Sequence, residues 1–349
     1  MTSETLKIAV LMGGSSAERD VSLASGAQVT RALRALGHEV VCLDPASGVM
    51  SADEVVRLTQ DAVPPEPPPP GAKDLLTRGE LPSLLRTLGE EGTELIFPAL
   101  HGGSGEDGTL QAILDLAGLP YVGSGRVACT LAMDKEVSKR LFRDGGVATP
   151  DWLCGPASLD EVERVLGLPV IVKPPSGGST LGLTLAHDRE ELSRAVEESL
   201  RYEDRILFER FIGGRELTVG IVDDRPLPVG EIIPEHEIFD YECKYQPGMA
   251  EEIFPADIPD ALATRLQEEA LKVHRLLFLR DFSRVDFIVD DRGEAWCLEA
   301  NALPGLTENS LVPKAAAAAG ISLEALCERI VAASLNRTHP PGTTRSPAG

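Results

Sequence analysis

Residues 6–12 read LKIAVLM and are followed at once by GGSS at residues 13–16. A nearly continuous apolar run of this length that ends at two glycines predicts a buried strand. The alternation continues, with a helix predicted over residues 18–36, strands over residues 39–43 and 95–100, and a helix over residues 108–117. Strands that alternate with helices predict a parallel sheet covered by helices, which is an α/β domain.

The pattern changes after about residue 125, where the strands become short. A single helix is predicted over residues 127–144. The predicted strands lie at residues 170–173, 183–186, 206–210, 217–222, 229–233, 283–289 and 295–301. Short strands with intervening helices predict two α+β lobes for this part of the chain.

The composition is that of a folded enzyme of two or three domains, because 43% of the 349 residues are hydrophobic and 25% are charged. The net charge of −22 would repel a phosphate backbone, so we expect no nucleic-acid partner. No apolar run reaches the roughly 18 residues of a membrane helix, and the N-terminus does not read as a signal peptide. Six scattered cysteines without a C-x-x-C pair indicate reduced thiols. We therefore expect a cytoplasmic protein with no membrane partner.

Two segments are predicted to lie outside the packed domains. Residues 64–70 read PPEPPPP, and a proline run favours an extended, exposed conformation. These prolines are either a surface insertion or a docking site for a partner. Residues 336–349 are expected to form a disordered tail.

The last two predicted strands form a hairpin that carries charged residues. The most symmetric turn places Asp286 opposite Cys297 and Arg284 opposite Glu299. Because side chains alternate between faces, Arg284, Asp286, Glu299 and Asn301 are predicted to project to one side. Two carboxylates and an amide oxygen suit a hard cation such as Mg²⁺. The alternative is a solvent face with a salt bridge, and a bulge would break this register.

A loop rich in glycine and hydroxyl groups, KPPSGGSTLG at residues 173–182, begins at Lys173. Its N–H groups and the lysine could bind phosphate, although such a loop is also a common turn. This loop does not match the P-loop motif, and residues 13–18 (GGSSAE) do not match G-x-G-x-x-G, which disfavours a P-loop NTPase and a dinucleotide dehydrogenase. Glu18 and His101 follow predicted parallel strands, at the edge where α/β sheets bind ligands. A helix-start acid and a structural histidine are the alternative explanations.

Taken together, these motifs resemble those of the D-alanine–D-alanine ligases of the ATP-grasp superfamily, and the similarity covers residues 7 to about 335. The motifs occur in order: GGSSAERDVS at 13–22, HGGSGEDG at 101–108, YVGS at 121–124, MDK at 133–135, the loop at 173–182, GRELT at 214–218, DYECKY at 240–245, RVD at 284–286, EAN at 299–301 and NSLVP at 309–313. A single match would mean little, but this many in register are highly specific.

The resemblance implies an ATP-grasp fold. It divides the chain into an N-terminal Rossmann-like domain with a parallel sheet (1–124), a central lobe (125–212), a C-terminal lobe with the metal site and a lid loop (213–335), and the tail (336–349). The two α+β lobes are expected to enclose ATP.

The resemblance also assigns the nucleotide and metal sites. The implied ATP-binding residues are Lys135, Lys173, Ser179, Glu209, Phe211, Ile212, Glu216 and Lys244. Three lysines among them bind phosphate, the segment 209–212 contacts adenine, and Glu216 binds the ribose. The implied ligands of two Mg²⁺ ions, which Mn²⁺ could replace, are Asp286, Glu299 and Asn301.

The implied substrate residues are Glu18, His101, Ser310 and Leu311, and the implied catalytic residues are Glu18, Ser179, Tyr245, Arg284 and Gly305. In this assignment Glu18 binds the ammonium of the first D-alanine and Ser310 binds the carboxylate of the second. Arg284 and the N–H of Gly305 stabilise the oxyanion.

The implied reaction is an ATP- and Mg²⁺-dependent ligation of two D-alanines through an acyl phosphate, for peptidoglycan precursor synthesis, in a protein that is expected to be a homodimer. A D-alanine–D-lactate ligase is the nearest alternative, and Tyr245 in the lid favours an amine acceptor instead. A ligase for other amino acids and a non-catalytic nucleotide-binding protein are further alternatives. The intact lysines, carboxylates and Arg284 argue against the last of these.

Overall fold

The structure is a computed structural model, and it describes residues 5–16, 18–58, 81–90, 92–178, 180–239, 243 and 248–338. Over these ranges the chain forms three sheets. The proline segment at residues 64–70 lies outside the described residues. Within the described ranges, no helix has both the length and the apolar character that crossing a membrane requires.

The first sheet is mainly parallel and has the strand order β3-β2-β1-β4. Its elements are β1 (Lys7–Leu11), α1 (Arg19–Ala35), β2 (Glu39–Asp44), β3 (Gly48–Val49), α2 (Ala52–Leu58), α3 (Leu81–Glu90), β4 (Leu95–Pro98) and α4 (Thr109–Ala117). Strand β1 pairs in parallel with β2 and β4, whereas the two-residue β3 is antiparallel. Ile8 and Val10 pack into one core and Ala9 and Leu11 into another. The prediction of a buried strand in an α/β domain is confirmed, and the structure shows that this strand is buried on both faces.

The second sheet is antiparallel, with the strand order β5-β8-β6-β7. Its elements are α5 (Arg126–Met133), α6 (Lys135–Asp144), β5 (Trp152–Cys154), α7 (Leu159–Leu166), β6 (Val170–Lys173), β7 (Thr184–Ala186), α8 (Arg189–Ser199) and β8 (Leu207–Arg210). The predicted single helix over residues 127–144 is wrong. Asp134 has an extended backbone between α5 and α6, and its side chain accepts a hydrogen bond from the N–H of Val137. This N-cap starts a new helix.

The third sheet has the strand order β12-β11-β9-β13-β14, with β10 added to β9. Its elements are β9 (Arg215–Val222), β10 (Arg225–Pro226), β11 (Gly230–Pro234), β12 (Ala250–Ile253), α9 (Asp260–Leu276), β13 (Phe282–Val289), β14 (Ala295–Asn301), α10 (Leu311–Ala318) and α11 (Leu323–Thr338). Its pairs are antiparallel. Two α+β lobes joined to an α/β domain give the ATP-grasp arrangement that the sequence predicts.

The register predicted for the hairpin of β13 and β14 is wrong, although the predicted face is right. Asp286 lies opposite Glu299 and Arg284 opposite Asn301, whereas Cys297 lies opposite Phe287. The register shifts between Asp286 and Phe287, and this bulge turns Cys297 into the core, where it is fully buried. The four polar residues still share one face because directly opposed residues of an antiparallel pair project to the same side.

The last helix, α11, returns to the N-terminal domain and packs against α1. It extends through residues 336–338, which the sequence assigns to a disordered tail. The prediction of disorder is therefore wrong for residues 336–338, and the rest of the predicted tail, residues 339–349, lies outside the described residues. Arg337 explains the extension, because its guanidinium forms an ion pair with Asp281 and donates to the carbonyl of Tyr121 at 2.9 Å.

Candidate active site

A cavity of about 820 Å³ opens between the N-terminal domain and the two lobes. It is lined by every described residue for which the sequence predicts a role. These are Glu18, His101, Lys135, Lys173, Glu209, Phe211, Ile212, Glu216, Arg284, Asp286, Glu299, Asn301, Gly305, Ser310 and Leu311. The predicted residues Ser179, Lys244 and Tyr245 lie outside the described residues.

Glu18 lies just before α1, between two glycine-rich loops. A Cβ atom on Gly102 would lie 2.5 Å from Oε2 of Glu18, and one on Gly178 would lie 2.7 Å from the same atom. Gly102 also has a φ of 67°, a conformation that favours glycine. One loop belongs to the N-terminal domain and the other follows β6 of the central lobe. The Glu18 carboxylate therefore lies where these two parts of the chain meet.

His101 and Glu106 lie at the same end of the cavity as Glu18. Nε2 of His101 is 3.1 Å from Oγ of Ser25 on α1, and burial lowers the pKa of His101. Its imidazole is therefore neutral at pH 7. Oε2 of Glu106 accepts a hydrogen bond of 2.8 Å from the N–H of Gly102. Burial, followed by the charge of Glu18, raises the pKa of Glu106 to about 8, so Glu106 is mostly protonated at neutral pH.

Two lysines lie beside the loop that follows β6. Nζ of Lys135 donates to the carbonyl of Gly177 at 2.6 Å and lies 3.3 Å from Oε2 of Glu299. Nζ of Lys173 donates to Oε1 of Glu209 at 2.9 Å. Both side chains are largely buried, so solvent screens their charges weakly. Two such ammonium groups beside a glycine-rich loop suit the phosphate oxygens of a nucleotide.

The segment between β8 and β9 forms another wall of the cavity. Glu209 is buried at the end of β8, and Phe211 and Ile212 follow it along the cavity. Glu216 comes early in β9, where it pairs with Ile232 of β11. A wall that joins apolar side chains to a carboxylate can accommodate an aromatic base and a polar sugar.

The carboxylates of the third sheet form a compact charged cluster. Asp286 accepts hydrogen bonds of 2.9 Å from both Nε and Nη2 of Arg284, of 3.1 Å from Nδ2 of Asn301 and of 2.7 Å from Oγ1 of Thr218. Glu299 lies directly opposite Asp286 in the ladder. These side chains offer two carboxylates and one amide to a cation.

This donor set fits Mg²⁺ bound together with a nucleotide. Within the described ranges, no three His, Cys, Asp or Glu side chains are grouped so as to hold a metal. Mg²⁺ commonly uses only one or two protein carboxylates and takes its remaining oxygens from phosphates and water. Asp286, Glu299 and Asn301 provide that number of oxygen ligands, and they lie on the cavity.

Gly305 and Ser310 lie near each other where β14 leads into α10. A Cβ atom on Gly305 would be 2.7 Å from Oγ of Ser310, so only a glycine lets the backbone approach that hydroxyl so closely. Oγ of Ser310 accepts from the N–H of Thr307 at 3.2 Å and lies 2.8 Å from the Thr307 hydroxyl. Leu311 is the first residue of α10. A serine hydroxyl and a helix N-terminus together suit a carboxylate.

Three residues of the site region have no role in the sequence prediction. Glu106 lies within a quoted motif, but only its burial reveals its raised pKa. Lys139 follows Lys135 by one helical turn, a spacing that puts both on one face of α6. Thr218 contacts Asp286 because β9 pairs with β13, and no local pattern signals that pairing.

Comparisons with known proteins match most of the chain. The model of the D-ala D-ala ligase N-terminus matches residues 7–124, and the model of the D-ala D-ala ligase C-terminus matches residues 146–332. The D-alanine–D-alanine ligase of Syntrophotalea carbinolica is 40% identical over 336 residues, which are 95% of this chain and 97% of the relative. The D-alanine–D-alanine ligase of Geobacter sulfurreducens is 41% identical over 331 residues, which are 94% of this chain and 94% of the relative.

Solved structures give the same result. The Bacillus anthracis D-alanine–D-alanine ligase complexed with ATP matches with a TM-score of 0.76 and 30% identity, over 95% of this chain and 98% of that one. The VanG D-Ala:D-Ser ligase of Enterococcus faecalis matches with a TM-score of 0.77 and 26% identity, over 95% and 100% of the two chains. From the two family models and these near-complete matches we conclude that the chain belongs to the D-alanine–D-alanine ligase family.

Proposed function

We propose that this chain joins two D-alanines to D-alanyl-D-alanine with ATP and Mg²⁺, releasing ADP and phosphate, and that the dipeptide serves peptidoglycan synthesis. The observation that carries the proposal is the convergence of fifteen predicted site residues on one cavity. Carboxylates, lysines and an arginine from distant parts of the sequence meet there. Membership of the family supports the ATP-dependent ligation.

In the proposed assignment ATP lies along the wall from Glu209 to Glu216, with its phosphates at Lys135 and Lys173. Mg²⁺ held by the cluster of Asp286, Glu299 and Asn301 would neutralise phosphate charge. The lysines place positive charge where the γ-phosphoryl receives the carboxylate of the first D-alanine. Positioning and charge neutralisation account for most of the rate in phosphoryl transfer.

The first D-alanine is proposed to bind between Glu18 and His101. The Glu18 carboxylate attracts the substrate ammonium, and a protonated Glu106 beside it adds little competing charge. Neutral His101 can hydrogen-bond to the substrate without repelling its ammonium. The first step forms an acyl phosphate and ADP.

The second D-alanine is proposed to bind at Ser310 and Leu311, so that its amine attacks the acyl carbon and phosphate leaves. Negative charge develops on the carbonyl oxygen during this attack. Arg284 and the N–H of Gly305 are proposed to stabilise that oxyanion. Ser179, Tyr245 and Lys244 are proposed to close the site and exclude water, which would otherwise hydrolyse the acyl phosphate.

The domain division at residues 124/125 and 212/213, assembly as a homodimer and a cytoplasmic location are part of the same proposal. Family models that cover residues 7–124 and 146–332 support the first boundary. The net charge of −22 supports a protein that acts on small substrates without binding nucleic acid.

The test is product analysis with the purified chain. The enzyme is incubated with ATP, Mg²⁺ and D-alanine, and parallel tubes also receive an excess of D-lactate or of D-serine. Mass spectrometry identifies the products and ADP release gives the rate. We expect D-alanyl-D-alanine as the main product in all three tubes.

Each alternative has its own signature in this experiment. A depsipeptide in the D-lactate tube, or D-alanyl-D-serine as the main product, would assign a different acceptor. ATP that stays bound with no ADP release and no ligated product would point to a nucleotide-binding protein. A further tube, in which a mixture of other amino acids replaces D-alanine, tests for a different ligase, which would release ADP only there.

A further inference from the structure

Lys139 on α6 is a fully buried lysine. Its side chain is 0% exposed, and burial lowers its pKa from the ordinary lysine value. An ammonium group in such a place is costly unless it is paired and hydrogen-bonded. None of the roles proposed for the cavity residues involves Lys139, so a buried ammonium group at this position needs an explanation.

The carboxylate of Glu209 is the charge partner of Lys139, and Lys173 shares it. Nζ of Lys139 lies 2.5 Å from Oε2 of Glu209, while Nζ of Lys173 lies 2.9 Å from Oε1. The two lysines thus engage different oxygens of one buried carboxylate. One negative charge between two positive ones leaves a net charge of +1 beside the cavity. Together the two lysines lower the pKa of Glu209 against the effect of burial.

Lys139 is also connected to the strand that carries the candidate metal ligands. Its Nζ donates to Oγ1 of Thr149 at 2.6 Å, and that hydroxyl donates to the carbonyl of Cys297 at 2.8 Å. Cys297 lies on β14, two residues before Glu299. The ammonium also lies 5.5 Å from the ring centroid of Trp152. These contacts fix Lys139 in one place and join the central lobe to β14.

We propose that Lys139 is a positioning residue of the nucleotide site, which occupies one oxygen of Glu209 so that this carboxylate does not neutralise Lys173. This inference rests on the proposed ATP site. Without Lys139, Glu209 would pair with Lys173 alone, and the pair would be neutral. Lys173 would then attract phosphate less strongly, although it would still be present in the cavity.

The test is a double-mutant cycle on the full chain, with ADP binding in the presence of Mg²⁺ measured by calorimetry. The variants are Lys139→Met, which keeps the length of the side chain, Glu209→Gln and the double variant. Lys139→Met should weaken ADP binding about tenfold in the wild-type background and less than about threefold when Glu209 is already neutral. In turnover assays we expect KM for ATP to rise while KM for D-alanine stays within about twofold.

Lys272→Met is the matched control, because Lys272 is exposed and, among the described residues, donates to the carbonyl of Gly146. It should leave ADP binding unchanged. Equal losses in both backgrounds, or no loss in either, would overturn the proposal for Lys139. If Lys139→Met alone does not fold, ADP binding by the double variant is compared with that by Glu209→Gln. A tenfold or larger difference in affinity between these two variants overturns the proposal. A wild-type chain that neither binds ADP nor forms product would instead refute the proposed function.

Discussion

At the scale of single residues, burial and charged neighbours together set the pKa of carboxyl groups in the cavity, which is raised at Glu106 and lowered at Glu209. Glu106 lies near Glu18, and two ionised carboxylates so close together would repel each other. The raised pKa of Glu106 avoids that repulsion at neutral pH. The cavity can therefore present the Glu18 carboxylate to a substrate ammonium without accumulating negative charge from its neighbour.

The variant Glu106→Gln tests this protonation through stability. Because the pKa of Glu106 rises from 4.5 to about 8 on folding, its contribution to stability is complete below about pH 4.5 and is lost as the pH rises to about 8. The contribution of Glu106 to the free energy of unfolding should therefore fall between these limits, by at most about 1.4 kcal/mol per pH unit. Glu106→Gln should flatten that fall, as measured by urea denaturation at several pH values.

Glu197→Gln is the control for this measurement, since Glu197 is exposed on α8. It should keep the wild-type pH dependence. If Glu106→Gln and wild type have parallel stability curves from about pH 5 to pH 8, the protonation assigned to Glu106 is wrong.

Glu299 provides a direct test of the candidate metal site. Glu299→Gln removes one of two carboxylates but keeps the shape of the side chain, so folding should change little. We expect kcat at limiting Mg²⁺ to fall about 100-fold, with partial recovery at high Mg²⁺. The measurement is turnover as a function of Mg²⁺ concentration. Glu294→Gln, at an exposed position next to the same hairpin turn, should behave as wild type, and a similar rate for both variants would contradict the metal assignment.

At the scale of elements, the sequence predicts faces better than registers. Alternation along β13 and β14 is local, and it correctly puts Arg284, Asp286, Glu299 and Asn301 on one side. The bulge beyond Asp286 depends on how Cys297 and Phe287 pack in the core. A residue-by-residue pattern does not contain that packing. The same limit applies to Asp134, because its role as an N-cap depends on the extended backbone that separates α5 from α6.

Two helical glycines show how packing decides the effect of the same substitution. A Cβ atom on Gly26 of α1 would lie 2.4 Å from Cβ of Met12, whereas one on Gly89 of α3 would have nothing within 4 Å. Gly26→Ala should therefore destabilise by about 1–3 kcal/mol, because the close contact with Met12, which follows β1, outweighs the gain in helix propensity. Gly89→Ala should stabilise by about 0.5–1 kcal/mol.

Urea denaturation of the two alanine variants gives both values under one set of conditions. The two variants serve as controls for each other, since the added methyl group is the same. If Gly26→Ala stabilised the protein as much as Gly89→Ala, the contact with Met12 would not limit the approach of α1.

At the scale of the whole molecule, distant segments complete the site and its framework. The cavity draws on residues from Glu18 to Leu311, and the sequence indicates their types and order but not their distances. Secondary-structure propensity does not predict that these residues meet in one site, whereas the resemblance to a family implies that they do. The closing contacts of α11 are harder to predict, because Arg337 reaches Tyr121 and Asp281 across more than fifty residues of sequence.

Arg337 connects the C-terminal helix to Tyr121 of the N-terminal domain and to Asp281 just before β13, so its loss should lower the stability of the whole molecule. Asp281 is buried, and its Oδ2 accepts from the N–H of Gly123 at 2.7 Å. Burial raises the pKa of Asp281, although Arg337 acts against that effect. Arg337→Ala removes this compensation and should cost about 2–4 kcal/mol of unfolding free energy near neutral pH.

The pH dependence of that loss separates a charge effect from lost packing. Without Arg337 the pKa of Asp281 should rise further, and stability tied to a raised carboxyl pKa disappears as the pH increases. The difference between Arg337→Ala and wild type in urea denaturation should therefore be larger at about pH 8 than at about pH 5. Arg329→Ala, at an exposed position on the same helix, should cost less than about 0.5 kcal/mol. A loss for Arg337→Ala that is equal at both pH values would assign the role of Arg337 to packing and not to the charge of Asp281.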